Sequence, residues 1–487
     1  MLQLTVLPLA AFVLALLSIM AIVMVAGAGF RWPARMFSYL MLFMASTSVA
    51  TTILSGRVLA FMDENLVVSS EADVGSAVST KLLLMAVIGC SVALCAAWLF
   101  NFKNYKASLD RFVGRRLTAP DDITIAFVVF YVAYCILPIF FGQSYYFHIN
   151  LIYPLFTYIA LFLWVRLSST DPVVVGKQCL GLIVFSSLIA AIVAPQLVFQ
   201  PGYIGLIPGF DSRFWGVTSH ANALGAVASM FLVLELAEPS AKAWVRASIL
   251  SATGLTLILT QSKSSIAAAF VGFFIIFCWR LLSRSNKAIA DSKGGSLIPI
   301  ALLGGFIISI LGGGAFIMFF DTDILDALQG QLDARAVGHL STATGRTLIW
   351  EAAINGGLES PLFGQGGDYW GPENRLRLGL AAAATAHNLF LQIFSRSGFV
   401  GLAALLVFLY FLIRYSIHAA KPTRGGSIAL LAVFLMRSAF EANIQLNTLL
   451  SAEFFAMMAH FTYVIDRGAR PRKLFEPKSS HYRSVRA

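Results

Sequence analysis

The chain has 487 residues, of which 58% are hydrophobic and only 12% charged, with a mean hydropathy of +0.79. That balance excludes a water-soluble globular protein and describes an integral membrane protein. The net charge of +11 is not a nucleic-acid footprint, because the basic residues cluster in short connectors between apolar runs, where they set topology.

The first run, LTVLPLAAFVLALLSIMAIVMVA (4–26), is long enough to cross a hydrocarbon core of about 30 Å as a helix. No basic residue precedes it and its apolar part is too long for a signal peptide, so a retained first span is expected. Further spans are expected near 36–54, 82–101, 123–141, 151–165, 178–198, 217–236, 245–260, 264–283, 297–320, 399–414, 427–447 and 449–465. The expectation is an all-α polytopic membrane protein with about 12 to 13 spans; β-barrel strands would be shorter and alternating. Five cysteines (Cys90, Cys95, Cys135, Cys179, Cys278) fall in apolar runs without CxxC spacing, which points to buried thiols rather than zinc or disulfides.

The connector 102–121 carries Lys103, Lys106, Arg111, Arg115 and Arg116 against Asp110 and Asp121, and residues 467–487 hold seven Lys or Arg against Glu476 alone. Both are expected on the cytoplasmic side. Counting spans between them puts 199–216, the QSKSS turn (261–265), a long loop 321–386 and the end of the twelfth span on the outer face. The chain therefore divides into N-terminal spans (1–198), central spans with the QSKSS turn (199–320), the long outer loop (321–386), C-terminal spans (387–466) and a basic tail (467–487). Within the long loop, GRTLIWEAAINGGLESPLFGQGGDYW (345–370) reads as a short amphipathic helix followed by a Gly-rich turn.

Polar chemistry collects on that outer face. RFWGVTSHANALG (213–225) places Arg213 outside the seventh span and His220 and Asn222 just inside it. Lys263 is flanked by Ser262, Ser264 and Ser265 in a turn so short that its ammonium stays at the helix mouth, as an interfacial anchor or an anion site. Arg346 and Trp350 lie one helical turn apart: either the helix rests on the interface with Trp350 among headgroups, or Arg346 serves as a two-point phosphate ligand. AHNLF (386–390) repeats the His and Asn pairing with His387 and Asn388. A single His at a span end is ordinarily a structural hydrogen bonder, but two on one face beside Lys263 and Arg346 favour a site. MRSAFEAN (436–443) puts Arg437 and Glu441 four residues apart inside an expected span, as an ion pair between helices or as part of a site. Cations, one potential base and polar orienters, without paired catalytic carboxylates or a metal-ligand cluster, suit transfer from a diphosphate leaving group.

The ordered set HxNxxG, a basic Ser-rich turn, GRxxxW with a downstream PLFGQG, then HN before the last spans resembles the O-antigen ligase and polymerase superfamily. The resemblance covers residues 213–447, and RFWGVTSHANALG leans toward its exopolysaccharide-polymerising branch. It implies a glycosyltransferase of the GT-C type in the bacterial inner membrane, taking glycan from an undecaprenyl-diphosphate-linked oligosaccharide on the periplasmic face, with no metal or other cofactor. Arg346 would bind the diphosphate and His387 would act as base or acceptor orienter. Lys263 stands where the family usually has arginine, a point charge in place of a fork. Arg213, His220, Asn222, Asn388, Trp350, Arg437 and Glu441 would support the site. Expected partners are the lipid-linked glycan, membrane lipids, and flippase and chain-length or export proteins, with no nucleic acid. Two competing functions are a ligase that moves finished glycan onto lipid A core, and a transporter or flippase. Against the latter, the polar residues gather at one face and no inverted pair of broken helices is evident.

Overall fold

The computed structural model describes residues 32–59, 78–113, 122–166, 168–203, 207, 209–289, 341–380 and 383–469, together with parts of 16–27. Among the described residues, eleven long helices run through a common bundle, with one further helix laid at its end. In chain order they are α1 (Pro33–Leu54), α2 (Val78–Val113), α3 (Asp122–Phe141), α4 (Tyr153–Val165), α5 (Pro172–Val193), α6 (Ala221–Ala237), α7 (Ala243–Thr260), α8 (Lys263–Ile289), α9 (Ser341–Glu359), α10 (Leu389–Ala420), α11 (Gly426–Phe440) and α12 (Ala452–Ala469). Among the described residues, strand pairing is confined to a two-stranded antiparallel ribbon, Phe199–Pro201 with Ser212–Phe214.

Seven of the described helices are long and apolar enough to cross a membrane, and three apolar helices are shorter: Ile149–Val165, Ala221–Ala237 and Gly426–Phe440. The expected spans 4–26 and 297–320 fall largely or wholly outside the described residues, as does most of the basic tail. Several expected boundaries move. The helix expected at 178–198 begins at Pro172, because Asp171 caps it by accepting from Val173 N, and stops at Val193. The helix expected to end near 101 continues to Val113, into the basic connector. The span expected at 399–414 is the 32-residue α10, so the HN pair opens a helix rather than closing a loop. The span expected at 427–447 stops at Phe440, where Glu441 turns to extended backbone after its N–H donates to Arg437 O, and Asn443 folds back with Nδ2 donating to Phe434 O and Oδ1 accepting from Ser438 Oγ.

The core is built from large aromatic side chains of α3, α4, α10 and α12. Phe127 contacts Tyr158, Phe162 and Phe408 at centroid distances of 5.0, 5.0 and 5.4 Å, in tilted or edge geometries that suit ring quadrupoles. Two polar girdles close the ends. At one end Arg467 of α12 meets Asp171 at 2.7 Å and Glu238 at 3.6 Å, and Lys177 meets Glu235 at 2.6 Å. At the other end, buried Arg57 donates to the carbonyls of Leu197, Thr218 and Gly216, drawing the turn after α1 onto the segment that precedes α6.

The helix α9 belongs to this second end, where it lies against α10. It is not amphipathic in the expected sense: Leu348, Ile354 and Leu358 are exposed, and the buried face is Ala353, Gly356 and Gly357. A Cβ on Gly357 would strike the Phe394 ring at 2.3 Å, so small residues let α9 press against α10. The following PLFGQG turn crosses α10 where that helix breaks at Gly398, whose φ of 61° and ψ of −158° are open essentially to glycine alone. Phe399 N and Val400 N donate to the carbonyls of Pro361 and Leu362, while Gln365 N and Gly366 N donate to those of Ser395 and Arg396. The backbone groups freed by the break are thereby satisfied within the protein, as they must be at membrane depth.

Candidate active site

Five segments deliver side chains to one point at the α9 end of the bundle. The segment before α6 supplies Arg213 from the ribbon, His220 as the cap and Asn222 in the first turn. The tight turn between α7 and α8 turns on Gln261, left-handed at φ 50°, and is tied down by Gln261 Nε2 donating to Ser212 O at 2.9 Å. α9 brings Arg346, the residue before the cap of α10 is His387, and Glu441 follows α11 directly.

Glu441 is the hub. Its Oε1 accepts from Asn222 Nδ2 at 2.8 Å and lies 3.8 Å from an Arg346 guanidinium nitrogen, while Oε2 lies 3.2 Å from His387 Nδ1. Asn222 accepts in turn from Arg213 at 2.7 Å, and Arg213 also donates to Thr260 O and covers the Tyr203 ring at 4.7 Å. Burial alone would push the Glu441 carboxyl up; the His387 hydrogen bond and charge, with the charges of Arg346 and Arg437, outweigh it and hold the group at about 2. An ionised carboxylate only accepts, so Nδ1 of His387 carries the proton of this contact, and in the neutral imidazole Nε2 is the acceptor. His387 itself has a φ of 46°, a conformation that non-glycine residues adopt rarely and mostly at constrained sites. Its imidazole keeps partial access to solvent, with 29% of the side chain exposed against 11% for Glu441.

Arg437 and Glu441, expected either as an ion pair between helices or as part of a site, both reach the site through other partners. Glu441 caps α11 in extended conformation, and the buried Arg437 guanidinium instead donates to Ser265 Oγ and to Asn222 O, the latter at 3.1 Å. Arg437 thus ties the Ser-rich turn to the α6 segment, with Ser262 and Ser265 hydroxyls 2.8 Å apart. The glycine of HxNxxG explains this closeness: a Cβ on Gly225 would lie 2.4 Å from Ser265 Oγ.

The remaining polar residues divide by role. Asn388 is the N-cap of α10, its Oδ1 accepting from Phe390 N and Leu391 N, with Nδ2 donating to Ala439 O at 3.0 Å. His220 caps α6, its Nδ1 accepting from Asn222 N at 3.1 Å, against the Trp215 ring at 4.9 Å. Burial, reinforced by the charge of Arg213, holds its imidazole down at about 3, so it stays neutral. Lys263 occupies the first position of α8, half-buried between Ser262 and Ser264. Trp350 follows Arg346 by one turn of α9 and presents a buried indole N–H with no acceptor among the described residues. Sequence reasoning missed Arg57, Thr260 and Ser265 as site supports, and named Glu441 without its partners Asn222, Arg346 and His387; its one available signal was a lone carboxylate in an apolar stretch. Among the described residues, no group of three His, Cys, Asp or Glu side chains stands close enough to share a metal ion.

Residues 247–406 match the O-antigen ligase family, which supports the superfamily placement implied by the order of the motifs. The match takes in QSKSS, GRTLIW, PLFGQG and AHN, and so contains Lys263, Arg346 and His387. No curated protein matches the chain.

Proposed function

We propose, from the O-antigen ligase match of residues 247–406 and the geometry around Glu441, that this chain is a membrane glycosyltransferase of GT-C type that polymerises lipid-linked repeat units of a surface polysaccharide. The donor is an undecaprenyl-diphosphate-linked oligosaccharide, and the site faces the periplasm. The orientation rests on the opposite end of the bundle, where Arg35, Lys242, Arg246, Arg280, Lys421 and Arg424 sit at or near the helix termini, as the positive-inside rule requires of a cytoplasmic face.

The observation that carries the reading is the contact between His387 Nδ1 and Glu441 Oε2 beside a guanidinium. His387 Nε2 takes the proton of an acceptor hydroxyl, whose oxygen attacks the anomeric carbon of the donor. The bond from that carbon to the diphosphate breaks, and the leaving oxygen's charge is met by Arg346 and Lys263. Glu441 accepts from Nδ1, fixes the tautomer and stabilises the imidazolium that forms. Its carboxylate is already engaged by hydrogen bonds with Asn222 and His387 and by the charge of Arg346, so it orients and does not attack. One base without a carboxylate nucleophile means direct displacement, with inversion at the anomeric carbon.

The test is a purified assay with lipid-linked repeat unit as donor and acceptor. His387→Ala abolishes chain growth while single lipid-linked units persist, a loss of about two to four powers of ten for a general base. Near-normal polymer from that variant refutes the base assignment, and transfer only to a lipid A core acceptor by the wild type converts the reading to a ligase.

A further inference from the structure

On the side of α9 turned away from the reacting groups lies a cleft of about 680 Å³. Its walls come from α9 (Leu348, Glu351, Asn355, Glu359), from the 365–380 segment (Gln365, Tyr369, Arg377, Leu380) and from Gln143 and Ser144 after α3. At about 100° per residue, Leu348, Glu351, Asn355 and Glu359 stand some 140–220° round the helix axis from Arg346. Along the axis the separation is small: Glu351 is five residues on, about 7.5 Å at 1.5 Å per residue.

The cleft is built, not a gap between loose loops. Gln143 N and Ser144 N donate to Gly364 O and Gln365 O, and Gln365 Nε2 reaches Gln143 Oε1, Gly356 O and Glu359 Oε2 at 2.9 to 3.0 Å. Tyr369 lies against α9 with its hydroxyl donating to Ala352 O at 2.7 Å, which requires glycine at 356 because a Cβ there would meet the phenol oxygen at 2.3 Å. Against this fixed floor, the side chains of Glu351, Asn355 and Arg377 are exposed, and among the described residues none of them makes a hydrogen bond or ion pair within the protein.

We propose that this cleft binds an uncharged stretch of glycan at a distance from the reacting bond. A sugar presents hydroxyls that donate to carboxylates and amide oxygens and accept from amide and guanidinium N–H groups, and Glu351, Asn355, Glu359 and Arg377 supply both kinds of partner. Its C–H faces need apolar surface between those groups, which Leu348, Leu378 and Leu380 provide. The volume falls within the range of small-ligand sites, about 300–1,000 Å³. Two carboxylates against one guanidinium disfavour uronic acids. The half-turn from Arg346 means that the cleft cannot hold the sugar undergoing transfer; it holds units further along the same chain, and so acts on grip and polymer length.

This inference rests on the glycan-polymerising reading, and a binding measurement separates the two. The probes are neutral oligosaccharides of one to three repeat units, released by mild acid from the cell's own surface polysaccharide and titrated against the full-length protein in detergent. Wild type binds; Glu351→Gln with Asn355→Ala weakens binding at least tenfold and shortens the polymer. Leu348→Trp, at a position already exposed, blocks the cleft with the same result and guards against a misfolded double variant. Unchanged binding in both variants, or no binding by wild type, overturns the proposal. Cleft-dependent binding by a protein that makes no polymer supports the cleft while refuting the enzymatic reading.

Discussion

Replacing Glu441 by glutamine exchanges one carboxylate oxygen for an NH₂ group and tests the geometry of the site most directly. Asn222 Nδ2 donates to Glu441 Oε1 at 2.8 Å, and that donor remains in the variant, so the oxygen of the substituted amide must take this position. The amide nitrogen then faces His387 Nδ1 across 3.2 Å and can only donate. The imidazole responds by placing its proton on Nε2, the atom that should accept from the acceptor hydroxyl. Loss of the charge-assisted hydrogen bond alone is worth about 1.5–3 kcal/mol, roughly ten- to 150-fold in rate. The wrong tautomer adds to this; the equivalent carboxylate-to-amide change in a serine protease triad costs about 10⁴. Polymer formation by Glu441→Gln therefore falls about 10² to 10⁴-fold at matched membrane levels, followed as the rate of lipid-linked repeat consumption. Glu441→Asp, which keeps the charge, retains more. An amide variant within threefold of wild type would show that Glu441 neither orients nor stabilises the base.

Other outcomes follow from the same residues. Arg346→Lys lowers activity far more than the same change at Arg335, a basic residue of the long outer loop that lies outside the described residues, by about 1.5–3 kcal/mol in transition-state terms for the lost fork; equal polymer yields would remove Arg346 from diphosphate binding. The Glu441 carboxyl is depressed from 4.5 to about 2, so its contribution to stability is fully present above about pH 4.5 and is lost as pH falls toward 2. Thermal unfolding of detergent-solubilised protein should accordingly lose more stability between pH 5 and 3 in wild type than in Glu441→Gln, and parallel curves would contradict the depressed value. Gly398→Ala forces a side chain into a glycine-only conformation and drives its Cβ to 2.5 Å from Leu362 O, for a loss on the order of 1–3 kcal/mol, read as a lower unfolding temperature.

The apolar runs made most spans legible, because burial in lipid is a composition signal that needs no tertiary information. Ends were less so. Arg437 and Glu441 were visible as ionisable groups in an apolar stretch, but the helix stops at Phe440 and Glu441 leaves it in extended conformation, so a spacing of four does not say which partners either residue takes. Asn388 and His220, expected as supports of the site, are the caps of the helices that carry it, a role that the capping preference of Asn already implied for Asn388. Arg346, His387 and Glu441 were each visible as residues; their meeting was not, because it depends on where α9 and the break after α11 come to rest. The glycines of PLFGQG read as turn formers, but the reason for glycine in HxNxxG was not legible: Gly225 is small so that Ser265 can fit beside it.

The crossing of the PLFGQG turn with α10 bears on how this part of the chain can drift in sequence. Four main-chain hydrogen bonds hold the turn to the helix, from Phe399 and Val400 in one direction and from Gln365 and Gly366 in the other. None of them depends on a side chain. Replacement of Leu362, exposed at the surface, leaves every one of these bonds in place, so selection has little purchase there. At Gly364 and Gly398 the reverse holds, since a single methyl would lie 2.4–2.5 Å from the opposing backbone. Among homologous chains, this segment should therefore vary freely in bulk and polarity around fixed glycines, and a relative that lacks either glycine should have rebuilt the crossing rather than merely tolerated the change.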